Sequence, residues 1–167
     1  MVQVLSIKSK LILAILALVA SVALMGMTAD DAHAGVTEIR NVYNNTGKTV
    51  YLWNHENGYR VTIAPGQQVL INNWVPWCTG YTDFNRGHFI EVGYVNGGSH
   101  VYKYSIWQQN RNGLDRIRYT AITPMNYSPT AQAMPGASSV DGRRDLVLFD
   151  LDQPATTTSS GVRLNYS

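Results

Sequence analysis

Residues 41–78 read NVYNNTGKTVYLWNHENGYRVTIAPGQQVLINNWVPWC. Runs of β-branched and aromatic residues alternate here with turn-forming clusters. Thr49 to Trp53 is a strand by composition, since all but Leu52 are β-branched or aromatic. Asn44 to Lys48 precedes it, with Asn and Gly available for positive φ, and so forms a turn. Asn57-Gly58 marks a second turn. Tyr59, Val61 and Ile63 then share one face, with Arg60 and Thr62 on the other, at the period of a half-buried strand. Pro65-Gly66 predicts a type II turn. Gln67 to Asn72 completes four strands joined by three tight reversals. Pro76 then argues against a central strand, so Asn73 to Gly87 reads as irregular.

The pattern extends outward from this stretch. Val36 to Tyr43 precedes it as a first strand. His88 to Val95, His100 to Trp107 and Leu114 to Ile122 follow as a meander, turned at Asn96-Gly97-Gly98 and at Asn110 to Gly113. Thr123 to Gly142 carries three prolines among small and polar residues and reads as a long loop. Arg144 to Phe149 and Val162 to Tyr166 regain strand character around a second loop, Gln153 to Ser160. No amphipathic helix is evident. The sum is about eight or nine short strands, which predicts an all-β fold. The expectation is an antiparallel two-sheet sandwich, with a small β-barrel as the alternative.

The first 34 residues predict a signal peptide. Lys8 and Lys10 precede an apolar run, Leu11 to Leu24, and Ala32-His33-Ala34 fits a signal-peptidase site. The run is shorter than the roughly 20 residues that span a bilayer. The expected mature chain, 35–167, is one domain, secreted or periplasmic. Removing Lys8, Lys10, Asp30 and Asp31 takes two charges of each sign, so the net stays +2. Basic residues are scattered, which argues against a nucleic-acid partner. Cys78 is the single cysteine, so an intramolecular disulfide is impossible. It is either a buried core residue or a link to another molecule.

Four Trp and ten Tyr lie in the mature chain, against three Phe. Such side chains pair an apolar body with a polar tip and suit partly wet surfaces. Trp74, Trp77, Tyr81, Asp83, Phe84 and Asn85 cluster in the irregular stretch. Flat rings bordered by amides and carboxylates suit a sugar, whose C–H face stacks while its hydroxyls bond to the polar groups. The rival role for Trp74 and Trp77 is to plug one end of the sandwich. The expected ligand-binding residues are Trp74, Trp77, Tyr81, Asp83 and Asn85.

Catalytic sets are less evident. His55, His88 and His100 are scattered and lack zinc-ligand spacing, so no metal or cofactor is expected. His55 is expected to be solvated in its turn. Cys78 has no local signature of a nucleophile, and no Gly-x-Ser-x-Gly elbow occurs. Asp141, Asp145, Asp150 and Asp152 match no calcium loop and read as solvated carboxylates. The expected function is non-enzymatic binding of glycan or another cell-surface ligand through the aromatic, Asn-rich loops. The alternative is a membrane-active, toxin-like protein acting on a membrane surface. A hydrolase ranks third.

Overall fold

The computed structural model describes residues 35–121, 125–136, 142–152 and 161–166. The expected signal peptide, the loop Gln153 to Ser160 and parts of Thr123 to Gly142 lie outside them. Among the described residues the strands are β1 (Thr37–Asn44), β2 (Val50–Asn54), β3 (Arg60–Ile63), β4 (Gln68–Trp74), β5 (Ile90–Asn96), β6 (Ser99–Arg111), β7 (Leu114–Thr120), β8 (Gln132–Ala133), β9 (Gly142–Leu148) and β10 (Val162–Tyr166). One short helix, α1 (Tyr81–Asn85), lies between β4 and β5.

The strands form two sheets, ordered β10-β9-β1-β4 and β3-β2-β5-β6-β7-β8, and neither closes into a barrel. This is the all-β sandwich expected from the turn spacing. One pairing departs from the antiparallel expectation: β1 and β9 run parallel, Val42 opposite Leu146. Parallel neighbours need a long connection between them, and here nearly the whole domain intervenes.

Of the three reversals in residues 41–78, only the middle one makes a hairpin, pairing β2 with β3. The other two are corners that carry the chain from one sheet to the other. Asn44 builds both corners. Its Nδ2 donates to Lys48 O at 2.8 Å and to Ile63 O at 2.9 Å, and its Oδ1 accepts from Thr46 N at 3.0 Å. Gly66 takes a φ of 74°, as the expected type II turn requires.

Between the sheets lies the main core. Val50 and Leu52 of β2, Ile90 and Val92 of β5, and Ile106 of β6 point inward and are fully or almost fully buried. Burying each such side chain contributes roughly 1.5–3 kcal/mol. Alternate residues of the six-stranded sheet face the other way. Over part of that outer face a second cluster forms, in which Cys78, Phe84, Phe89, Trp107, Tyr127 and Ala131 are buried together. The chain after β4 makes this cover. Trp77 bridges Gln108 of β6, and α1 then lays Phe84 edge-on against Trp107, with ring centroids 5.8 Å apart. Thus much of the expected irregular stretch is a lid on the sheet.

Candidate functional site

Trp74 ends β4, and a bulge aims it. Between the paired residues Asn41–Leu70 and Ile39–Asn73, β4 carries one more residue than β1. Asn72 absorbs the extra length at a φ of 43°, a conformation that Asn tolerates better than most residues. The bulge bends the strand end towards the β2–β3 turn. There Asn54 Nδ2 donates to Asn73 Oδ1 at 2.6 Å and to Trp74 O at 3.0 Å. Asn57 Nδ2 donates to the same Asn73 oxygen at 3.3 Å. Trp74 stands on this amide cluster, 44% exposed, with its indole N–H directed at Glu56 Oε2 at 3.3 Å. Glu56 reaches on to His88, whose Nδ1 lies 3.7 Å from Glu56 Oε1 and 3.0 Å from Trp77 O.

The five residues singled out in the sequence take different positions. Trp74 shares its contacts with Glu56 and the asparagines of the β2–β3 turn. Trp77 is half-buried against the main core, where it offers less free ring. Tyr81 is exposed on α1, set edge-on to Tyr127 at 4.9 Å. Asp83 Oδ2 accepts from Thr79 N at 2.9 Å and from Thr79 Oγ1 at 2.5 Å, closing the loop before α1. Those two bonds hold its carboxyl below the usual range. Asn85 is exposed at the end of α1.

A second constellation was not singled out in the sequence. On the outer face of the six-stranded sheet the Arg60 guanidinium lies 3.7 Å from the Trp53 ring centroid, and Trp53 stacks on His55 at 3.7 Å. His55 is therefore packed between rings rather than solvated, because its turn folds back over Phe89. Its Nε2 lies 2.8 Å from Glu91 Oε2, and the other Glu91 oxygen accepts from Tyr51 OH at 2.5 Å. Tyr51 in turn stacks on His100 at 4.2 Å. Burial alone would push the Glu91 carboxyl up. The hydrogen bonds from His55 and Tyr51, with the charges of His55 and His100, outweigh it and hold the group below its ordinary value. Burial, then the bond to Glu91, raises the Tyr51 hydroxyl. Trp53, near the end of β2, and His55, in the turn after it, were legible as neighbours only two residues apart. Glu91 was not, because it joins them through the β2–β5 register, in which Trp53 faces Glu91.

Both oxygens of Glu91 are occupied, so it orients His55. Cys78 is fully buried, its thiol directed at Gly80 O at 3.4 Å. Burial pushes that thiol up to about 11, and a thiol of this kind is a poor nucleophile. Among the described residues no group of three or more His, Cys, Asp or Glu side chains is placed to hold a metal ion. Of the acidic residues near the C-terminus, Asp145 stands apart from Asp150 and Asp152. Asp145 accepts from Asn41 Nδ2 at 2.8 Å, Asp150 accepts from Asp152 N at 2.9 Å, and Asp152 pairs with lysines. Asp141 lies outside the described residues. No family model matches the chain, and neither a curated protein nor a solved structure matches it.

Proposed function

We propose that this protein is an exported, non-enzymatic binding module that recognises glycan, with Trp74 as the stacking platform. One observation carries the reading: a large aromatic ring is half exposed, yet held in place by its own N–H and by the amides beneath it. A ring fixed before binding loses little freedom on binding, which favours affinity. Its apolar face suits the C–H face of a sugar ring. Glu56, bonded to the indole, and Asn57, bonded to Asn73 beneath it, supply acceptors and donors for hydroxyls. Tyr81 and Asn85 on α1 are further exposed groups of the same kind.

The test is a glycan array probed with the purified protein, followed by titration of any hit. Trp74→Ala is expected to weaken binding at least tenfold and leave the fold intact by circular dichroism. Glu56→Gln is expected to weaken it less. A folded protein that binds no glycan overturns the reading. Dye release from liposomes, with no glycan bound, puts a membrane-active protein in its place.

A further inference from the structure

Trp74 pairs with Glu38 near the start of β1. At the far end of that strand, beside the β1–β2 turn, lies a cavity of about 340 Å³, within the roughly 300–1,000 Å³ usual for small-molecule sites. It is lined by Thr46 and Lys48 of the turn, Tyr94 of β5, and Phe149, Leu151 and Asp152 after β9. Asp152 is its anchor. Lys48 Nζ lies 2.7 Å and Lys103 Nζ 2.6 Å from its two oxygens, and Tyr94 OH donates to it at 3.3 Å. The two lysines hold this carboxyl at about 2, so it stays ionised. Lys48 also sits 4.0 Å above the Tyr94 ring, which fixes the ammonium at the cavity wall. Asp150 joins the lining, its Oδ1 accepting from Asp152 N.

The charges of Lys48, Lys103, Asp150 and Asp152 cancel, so the cavity calls for no ionic ligand. Its polar wall offers donors and acceptors side by side: a half-exposed ammonium with protons to spare, beside two carboxylates. Phe149, 39% exposed with the Arg163 guanidinium 4.7 Å from its ring centroid, and the edge of the buried Leu151 supply an apolar wall. An uncharged molecule with hydroxyls that both donate and accept, and one C–H face, answers all three features. We infer that this cavity is a second saccharide site, taking one neutral sugar unit at the opposite end of β1 from Trp74. The inference rests on the glycan reading for its ligand class, but uses none of the same residues.

Titrating the labelled protein with methyl glucoside, methyl galactoside, methyl mannoside and N-acetylglucosamine, followed by NMR, tests it. The amide signals of Lys48, Tyr94 and Leu151 report the cavity, and the Trp74 indole N–H reports the platform. The cavity signals are expected to shift with at least one neutral sugar, equally in wild type and in Trp74→Ala. Asp152→Asn and Phe149→Leu, each checked for fold by its spectrum, are expected to weaken that shift at least tenfold. Cavity signals that stay silent while Trp74 responds overturn the second site and leave the platform standing. The reverse pattern keeps the cavity and removes the platform, and silence at both removes both. Tighter binding of glucuronate than of any neutral sugar overturns the assigned ligand class.

Discussion

Asn54 Nδ2 lies 2.6 Å from Asn73 Oδ1, and this bond joins the two sheets directly beneath Trp74. Asn54 is fully buried, and its Oδ1 also accepts from Glu56 N at 3.1 Å. Its amide therefore fixes both the strand end that carries Trp74 and the turn that carries Glu56. Asn54→Ala is expected to cost about 2–3 kcal/mol, since it strands buried partners. It is also expected to weaken glycan binding without touching the ligand. Urea denaturation measures the first effect. Titration well below the denaturation midpoint measures the second.

Glu91 ties stability to pH. Its folded carboxyl titrates below the ordinary value of 4.5. Its contribution is therefore present above that pH and is lost as the pH falls through the lower folded value. Glu91→Gln is expected to cost about 1–3 kcal/mol at pH 7, because Tyr51 and His55 keep weaker partners. The gap between wild type and variant is expected to close as the pH falls below 4.5 and through the lower folded value, by urea midpoints at each pH. A gap that stays constant counts against this role for the carboxylate.

Gly93 has no room for a side chain. A Cβ there would meet Val101 O at 2.1 Å and the Tyr51 ring at 2.7 Å. The first contact is backbone and cannot swing aside. Gly93→Ala is expected to destabilise by about 3 kcal/mol or more, with a lowered melting temperature. It is also expected to displace Tyr51 from Glu91, visible in the Tyr51 ring signals.

Cys78 is expected to resist thiol reagents. It is fully buried and its thiol is raised to about 11. At pH 8 the native protein is expected to react with a chromogenic disulfide only at the rate of its opening, and to release one equivalent promptly in denaturant. Prompt reaction of the native protein, or a dimer that dissociates on reduction, contradicts this placement.

Asp152 separates binding from stability. It is about half exposed, so solvent screens its ion pairs and they contribute little to stability. Its folded carboxyl sits near 2 against an ordinary 3.8. The small contribution is thus present above 3.8 and fades as the pH falls towards 2. Asp152→Asn is expected to leave the urea midpoint at pH 7 nearly unchanged, while weakening sugar binding in the cavity.

Part of the candidate site was legible in the sequence. The tryptophan, amide and carboxylate residue types at positions 74–85 were visible, and so was the cysteine that the fold buries. Their division was not. Asp83 spends its carboxylate on Thr79, and Trp77 faces the core, because the chain folds back onto β6 through the Trp77–Gln108 bridge. Nothing in the local sequence announces that bridge. The helix α1 was also missed, since its five residues are too few to show a period.

By itself the sequence determined the all-β class and the described strands with their turns, apart from the two-residue β8 inside the stretch read as the loop Thr123 to Gly142. These follow from local chemistry: β-branched and aromatic runs, alternation at period two, and Asn or Gly where positive φ is needed. Only the tertiary structure decided which sheet each strand joins. A tight reversal can close a hairpin or turn a corner between sheets, and the choice between them lies in contacts such as Asn44 with Ile63, or β1 with β9, made by residues far apart in the chain. The same holds for the surface that carries Trp74. The ring is written in the sequence. Its exposure and its rigid setting come from a bulge at Asn72 and a buried amide at Asn54, and both exist only when β4 meets β1 and the β2–β3 turn.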